Sequence, residues 1–201
     1  MERFRRMQQK EFNDAYKEIY NGKKESHWIW YIFPQIKGLG HSFMCEIFDI
    51  KSLEEAKEYL NDNYLCKNLI KICEALLHHV GKKNIKEIMS IDDIKVLSCM
   101  TLFNIADENK KCNGIFKMII DKFYDGKQDE KTIEIINKQK EEKRVKNNNL
   151  KNENKIIQEF KNNVDKKGND IKKNENIDCT PMEEENKIEI RNSKEENKED
   201  I

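Results

Sequence analysis

The sequence lacks a net charge and any long apolar run. Its 201 residues carry 38 Lys and Arg against 38 Asp and Glu, and only 37% are hydrophobic. A balanced charge creates no field that would attract nucleic acid or an anionic membrane, so we expect neither partner. The most notable apolar run, residues 28–33, is too short for a membrane span, which takes about 20 residues. Residues 1–10 contain no apolar core of a secretory signal, and a cytoplasmic location is expected.

Metal and disulfide patterns are missing as well. The six cysteines include no Cys-x-x-Cys pair, and no His or Cys spacing matches a zinc site or a metalloprotease. Cys66 and Cys73 share a helical face but lie about 10 Å apart along the axis, beyond disulfide reach. We therefore expect the cysteines to be small apolar core residues, and we predict no metal and no cofactor. His78 and His79 lie near the end of a predicted helix, which favours a role as a C-terminal charge or capping pair.

The composition changes near residue 138. Residues 138–201 contain 16 Lys and Arg and 16 Asp and Glu, and Phe160 is their one aromatic residue. A segment in which half of the residues are charged cannot bury enough apolar surface to offset the entropy of ordering. The sequence therefore predicts a helical domain over residues 1–137 and a disordered tail over 138–201, which could bind a protein partner.

Within residues 1–137 the apolar pattern is helical. Phe4, Phe12 and Ile19 illustrate the 3.6-residue period, and related patterns continue to about residue 136. Typical caps and stops separate them, namely Gly22, Ser52 with Glu55, Gly81, Asp92 or Asp93, and Asp129. No hairpin dipeptide lies between alternating strands. The pattern predicts an all-α fold, a single compact multi-helix domain.

The segment from Ser26 to Gln35 departs from this pattern because it is apolar all the way round. Ser26 as N-cap and Pro34 as terminator favour a short central helix. Trp28 and Trp30 fit two roles, the centre of the core or a stacking platform for a ligand. We favour the core, because aromatic residues dominate core energetics.

His27 would occupy the first position of that helix. The positive end of the helix dipole disfavours imidazolium there, so we expect a neutral imidazole that can accept a proton or a hydrogen bond. The free N–H groups behind Ser26 would also suit a phosphate or a carboxylate. These two residues and Trp30 are therefore candidate ligand contacts, with His27 the candidate catalytic group.

A loop with two glycines follows, Lys37-Gly38-Leu39-Gly40-His41. Glycines let the backbone approach a ligand closely, which would make Lys37 and His41 contact residues. A sharp turn between two helices explains the same residues equally well. Ser42, a further candidate contact, can also cap the next helix.

A second polar set, Lys95, Ser98 and Thr101, lies at successive i, i+3 spacings on an otherwise apolar helix. In one interpretation the hydroxyls bond back to the preceding turn and Lys95 reaches solvent. In the other, these groups converge with His27 and Gln35 on one polar pocket. The sequence leaves both interpretations open.

The run from Ser26 to Ser42 resembles the signature of the domain of unknown function 1810 family. Further matching residues follow in order: Phe4, Gln8 and Tyr16; residues 52–60; Asp92-Asp93-Ile94-Lys95; residues 98–103; and Phe123, Gly126, Asp129 and Thr132. The resemblance covers about residues 1–137 and implies a compact, mainly helical domain with no established reaction or ligand. Some members carry the label calpastatin, but that inhibitor is an extended, disordered repeat protein that this Trp-rich block does not resemble. Cys99 replaces an expected serine, which would weaken any role that needs a strong donor.

Two functions from different classes remain. In the first, the domain binds a small polar or phosphate-bearing ligand, with or without catalysis. His27 is then the general base or key hydrogen bonder, Lys95 the anion contact, and Gln35, Ser98 and Thr101 orient the ligand. In the second, the protein is a non-enzymatic interaction module in which the Trp block is core and the tail binds the partner.

Overall fold

The computed structural model describes residues 1–173, with side chains over residues 1–159 and 161. Over this range the chain forms nine α-helices: α1 Glu2–Tyr20, α2 Ile29–Ile32, α3 Phe43–Phe48, α4 Leu53–Asn61, α5 Asn63–Leu77, α6 Ile85–Met89, α7 Asp93–Ala106, α8 Ile115–Phe123 and α9 Glu130–Lys173. A short 3₁₀ turn, Ser90–Asp92, connects α6 to α7. The same range contains one isolated parallel bridge, between Ile36 and Ile50, and no strand. The all-α prediction is confirmed.

Helix α7 lies at the centre of the core. It packs against α4 and α8, while α5 packs against α1 and α8. The side chains of Val96, Leu102 and Phe103 are fully buried, and even the polar Thr101 is excluded from solvent. Because α7 is covered on several sides, its sequence is apolar nearly all the way round and shows little amphipathic pattern.

A row of aromatic rings joins α7 to the neighbouring helices. The ring centroids of Phe4 and Tyr59 lie 5.3 Å apart, those of Tyr59 and Phe103 5.1 Å, and those of Phe103 and Phe116 5.8 Å. These distances fall in the range preferred by tilted and edge-to-face aromatic pairs. The row therefore connects α1, α4, α7 and α8 through one continuous core.

Several predicted caps are present. Ser42, Ser52 and Asp129 each accept a hydrogen bond from the backbone N–H three residues on, at 3.3, 3.2 and 3.2 Å. Asp92 is the exception. It precedes α7, but its side chain makes no capping hydrogen bond. The capping prediction for Asp92 is wrong because its carboxylate binds two lysine side chains instead.

Helix α9 continues through the predicted domain boundary at residue 137. Packing nevertheless ends there, because Ile136 is buried and every side chain from residue 140 to 159 is exposed. Two exposed side chains beyond Ile136 contact the helical domain, Gln139 at the Lys51 carbonyl, at 3.0 Å, and Lys143 at Glu54, at 2.5 Å. Contacts within the chain define a compact unit over Met1–Asn148. Part of the tail for which the sequence predicts disorder, residues 174–201, lies outside the described range.

The cysteines over residues 1–173 are all reduced. Four of them are buried as predicted, Cys45, Cys73, Cys99 and Cys112, and Cys66 is half-buried. Cys179 lies outside the described residues. None of the helices up to Lys173 is both long enough and apolar enough to cross a membrane.

Candidate functional site

A stripe of polar side chains on α1 faces the Trp-containing segment. Gln8, Glu11 and Glu18 lie on the side of α1 that carries its buried residues. The Gln8 amide donates to the backbone carbonyl of Tyr31, at 2.7 Å, and the Tyr31 hydroxyl donates to the Glu11 carboxylate. Burial and the Glu11 carboxylate raise the pKa of Tyr31 well above its usual value. The segment is therefore fixed to α1 by hydrogen bonds as well as by apolar packing.

Glu18 accepts four hydrogen bonds from this part of the chain. Its carboxylate accepts hydrogen bonds from the backbone N–H groups of Glu25, at 2.7 Å, and Ser26, at 3.0 Å. It also accepts from the Ser26 hydroxyl and from the indole N–H of Trp28, at 2.8 Å. Partial burial disfavours the charge of Glu18, but the hydrogen bonds outweigh it and place the pKa of Glu18 below its usual value. A carboxylate of the protein itself thus holds the backbone just before Trp28, at Glu25 and Ser26.

The expected central helix is shorter than predicted. Helix α2 begins at Ile29 and has only four residues, so Ser26 and His27 lie in a bend before it. The prediction that Ser26 caps this helix and that His27 opens it is wrong, because Glu18 draws the residues before Trp28 into an irregular loop. His27 therefore does not lie at a helix N-terminus, and the effect expected there from the helix dipole is absent.

The two tryptophans have different environments. Trp28 is 1% exposed and belongs to the core, which confirms the favoured interpretation for this residue. Trp30 is half-buried at the edge of the core, and His27 is exposed. The segment thus uses Ser26, Trp28 and Tyr31 for folding and leaves His27 and Trp30 accessible.

Two lysines bind Asp92, and each of them also lies over a tryptophan ring. Nζ of Lys24 and Nζ of Lys95 each lie 2.8 Å from an Asp92 carboxylate oxygen. The Lys24 Nζ is 5.1 Å from the ring centroid of Trp28, and the Lys95 Nζ is 5.0 Å from that of Trp30. Burial disfavours the Asp92 charge, but the hydrogen bonds and charges of both lysines outweigh it, so the pKa of Asp92 lies below its usual value. The two ammonium groups thus share the Asp92 carboxylate, and a second carboxylate, that of Glu18, lies at the Trp28 indole N–H.

Ser98 and Thr101 bind the start of α9. The Ser98 hydroxyl shares its single hydrogen between the Ile94 carbonyl oxygen, at 3.1 Å, and the Asp129 carboxylate, at 2.9 Å. Thr101 accepts from the Asp129 backbone N–H, at 2.9 Å, and Thr132 donates to the Asp129 carboxylate, at 2.6 Å. Ser98 therefore bonds back to the preceding turn, as the first interpretation holds. Contrary to the pocket interpretation, both hydroxyls are buried and engaged by Asp129.

Gln35 and Lys37 hold the loop after α2 through their backbones. The Lys37 N–H donates to the Ile50 carbonyl and the Ile50 N–H donates to the Gln35 carbonyl, both at 2.8 Å. The Lys37 side chain is exposed, and Gln35 is half-buried. Burial raises the pKa of the nearby Asp49 to about 6, although the charges of Lys37 and Arg3 lower it.

The two glycines of this loop have structural explanations. Gly38 has a φ of +106°, which residues with a side chain rarely adopt. A Cβ atom added to Gly40 would lie 2.6 Å from Sγ of Cys45. Ser42 caps α3 and its hydroxyl donates to the same sulfur, at 3.2 Å, while His41 is exposed. The turn interpretation therefore accounts for both glycines without a ligand.

The comparisons with known proteins concern this same helical domain. A family model described as "Protein of unknown function (DUF1810)" matches residues 1–136. The chain belongs to this family. The fold is similar to the crystal structure of the conserved hypothetical protein Rv1873 from Mycobacterium tuberculosis, at 34% identity and a TM-score of 0.63, over 67% of this chain and 94% of that one. No match is found among curated proteins.

In this DUF1810 domain the structure brings two of the predicted site residues together, Trp30 and Lys95. A third, His27, is exposed and precedes Trp30 by three residues. The sequence reasoning missed the roles of Lys24, Asp92 and Glu18. The sequence does contain a sign of the role of Glu18, because this charged residue lies on the side of α1 that carries the buried residues. Lys24 and Asp92 belong to segments distant in sequence, so no local pattern could pair them.

Glu18 also contributes to the lining of a hollow of about 440 Å³. The end of α1, the following loop and Lys83 line it. None of the ten predicted site residues contributes to its lining. Over residues 1–159 no three His, Cys, Asp or Glu side chains lie close enough to hold a metal ion.

Proposed function

We propose that this domain binds a small anionic ligand, such as a phosphate-bearing metabolite, at Trp30, Lys95 and His27. The observation that carries the proposal is the position of the Lys95 ammonium, 5.0 Å from the ring centroid of a half-buried tryptophan. An accessible aromatic surface beside a cation suits a ligand with both a planar or apolar part and a negative charge.

The different exposure of the two lysines supports an anion at Lys95. Lys24 is almost buried, with a side-chain exposure of 9%, and it is tied to both Asp92 and the Ser26 carbonyl. Lys95 has a side-chain exposure of 32%. Lys24 can therefore keep Asp92 neutralised while Lys95 turns toward a ligand. A lysine ammonium that is free to turn in this way attracts a negative group.

His27 is the second contact in this proposal. The fold uses its neighbours Ser26 and Trp28 as hydrogen-bond donors to Glu18, whereas the imidazole of His27 is exposed. It is three residues from Trp30 and can donate or accept a hydrogen bond. If the ligand reacts, His27 is the candidate general base. Lys37 remains a predicted contact because its side chain is also exposed.

A thermal-shift screen of the full chain tests the proposal. The compounds are nucleotides, ADP-ribose, sugar phosphates and carboxylates. A ligand at 100 times its dissociation constant adds about 2.7 kcal/mol to the free energy of unfolding, which raises Tm by several degrees. Lys95→Gln and His27→Ala should reduce this shift. Lys117→Gln is the matched control, because Lys117 is an exposed lysine on α8 paired only with Asp121.

Equal shifts in wild type, Lys95→Gln and Lys117→Gln would show that the ligand binds elsewhere. A screen without any shift, with folded protein, would count against the small-ligand function as a whole. In that case the second function gains weight.

The second function is a protein-interaction module. Its supporting observation is the exposure of four apolar side chains along α9, Val145, Leu150, Ile156 and Ile157. A partner captured by the wild type should then be lost when residues 149–201 are deleted and retained by Lys95→Gln. The small-ligand proposal expects the ligand-induced shift in Tm to survive the same deletion.

A further inference from the structure

Two cysteines from distant parts of the sequence meet at the surface of the helical domain. Cys66 of α5 and Cys112 of the loop between α7 and α8 place their sulfur atoms 3.8 Å apart. Cys66 is half-buried and thus open to small reagents, whereas Cys112 is 2% exposed. A disulfide requires a sulfur–sulfur distance of about 2.05 Å, so the two atoms must approach by about 1.8 Å. Side-chain rotation and a small loop shift provide movements of this size.

The surroundings of Cys66 favour its thiolate. A hydrogen bond from the Cys112 thiol lowers the pKa of Cys66, and the Lys111 ammonium acts in the same direction. Burial and the Asp107 carboxylate oppose this effect without cancelling it. The thiolate is the nucleophilic form of cysteine, so Cys66 is the member of the pair that reacts first.

The loop that carries Cys112 can close the remaining distance. The Asp107 carboxylate organises it by accepting from the backbone N–H groups of Lys111, at 2.8 Å, and Cys112, at 3.0 Å. Hollows of about 110 and 850 Å³ border residues of this loop that precede and follow Cys112, such as Asp107 and Asn113. The loop backbone therefore has open space beside it, although Cys112 itself is buried.

The other cysteines up to residue 173 do not share this arrangement. Cys73 and Cys99 are fully buried, and burial raises the pKa of both thiols. Cys45 is also buried, and its sulfur accepts a hydrogen bond from Ser42. The pair Cys66–Cys112 thus combines an accessible thiol with a second thiol in contact.

We propose that Cys66 and Cys112 form a reversible redox site that a peroxide converts into an intramolecular disulfide. The Cys66 thiolate attacks one peroxide oxygen, the O–O bond breaks, and Cys66 becomes a sulfenic acid while hydroxide leaves and takes up a proton as water. The Cys112 sulfur then attacks the Cys66 sulfur as its proton passes to the departing hydroxide, so the S–O bond breaks, the S–S bond forms and a second water leaves. Two thiols and one hydrogen peroxide give one disulfide and two waters. A thiol reductant reverses the change.

Treatment of the full chain with hydrogen peroxide tests this proposal. After denaturation, the number of thiols that react with a maleimide should fall from six to four. Peptide mapping without reductant should show Cys66 linked to Cys112, with a mass lower by two hydrogen atoms. The oxidised protein should have a higher Tm than the reduced protein, because the cross-link restricts the unfolded chain across 46 positions. Reductant should restore both values.

Variants separate the steps. Cys112→Ser should leave a sulfenic acid on Cys66 that dimedone traps, and Cys66→Ser should abolish the loss of thiols. Cys45→Ser and Cys179→Ser are matched controls and should still form the disulfide. The proposal is overturned if peroxide consumes no thiols, if it links Cys66 to Cys179, or if it drives Cys66 to a sulfinic acid while Cys112 stays free. Circular dichroism of each variant checks that the fold persists.

Discussion

Replacement of Asp92 by asparagine removes the single carboxylate shared by Lys24 and Lys95. The asparagine side chain keeps the shape of the aspartate but removes the charge to which both ammonium groups bind. Lys95 can turn toward water, since its side chain is 32% exposed. Lys24 cannot, because its side chain is only 9% exposed. The variant therefore leaves one charge buried and unpaired.

The structure bounds the size of this effect. Loss of one partner from a buried ion pair costs about 3–5 kcal/mol of unfolding free energy. Lys24 retains a hydrogen bond to the Ser26 carbonyl, at 2.6 Å, and its position over the Trp28 ring, which places the expected cost near the lower end. We expect Asp92→Asn to lose about 3 kcal/mol, equivalent to roughly 10 °C in Tm for a domain of this size.

Urea denaturation at neutral pH measures this loss, with Asp121→Asn as the matched control. Asp121 also pairs with a lysine, Lys117, but both side chains are exposed, and such pairs contribute about 0.5 kcal/mol or less. An unfolding free energy of Asp92→Asn within about 0.5 kcal/mol of the Asp121→Asn value would refute the reasoning.

The pH dependence provides a separate check on Asp92. Its pKa in the folded protein lies below its usual value, so the ion pairs stabilise the fold above the unfolded pKa of about 4. This stabilisation is lost as the pH falls through the lower, folded pKa. The difference in urea midpoint between wild type and Asp92→Asn should therefore be full at pH 7 and shrink below about pH 4. A difference that is constant down to acid pH would mean that the asparagine acts through packing and not through charge.

Three further substitutions test contacts of the Trp-containing segment, of the loop that follows it and of the start of α9. Glu18→Ala should cost about 2 kcal/mol in urea denaturation, because it leaves the buried Trp28 indole N–H without an acceptor; an unchanged midpoint contradicts the anchoring role. Gly40→Ala should cost about 1–3 kcal/mol through its contact with Cys45, and adding Cys45→Ala should recover part of this, whereas strictly additive losses would exclude the contact. Asp129→Ala should cost about 2 kcal/mol through loss of the α9 cap and of a partner for buried hydroxyls. A thermal melt within about 1 °C of wild type would refute that role.

Local signals were sufficient for most of the fold. The 3.6-residue period and the caps Ser42, Ser52 and Asp129 depend on residues a few positions apart, so the sequence displays them directly. The core position of Trp28 followed from its size and apolar character. The composition change at residue 138 coincides with the end of side-chain packing on α9.

Contacts between distant segments were not predictable in the same way. The short α2 and the bend at His27 result from Glu18, a residue of the preceding helix. The roles of Ser98 and Thr101 stayed ambiguous because hydroxyls on an apolar helix can face either a ligand or another helix, and only the position of Asp129 decides between them. Asp92 looked like a cap for the same reason, since a carboxylate at a helix start suits both a cap and an ion pair.

Intrinsic fluorescence tests the central claim, that an anionic ligand binds beside Trp30 and Lys95, most directly. The chain contains two tryptophans, and both belong to this cluster. Wild type, Lys95→Gln, Trp30→Phe and Lys117→Gln are titrated with AMP, ribose 5-phosphate and inorganic phosphate. We predict a saturable change in emission for wild type and Lys117→Gln that is lost in Trp30→Phe and strongly weakened in Lys95→Gln. No saturable change with any of the three compounds, or an equal affinity in Lys95→Gln, would contradict the account.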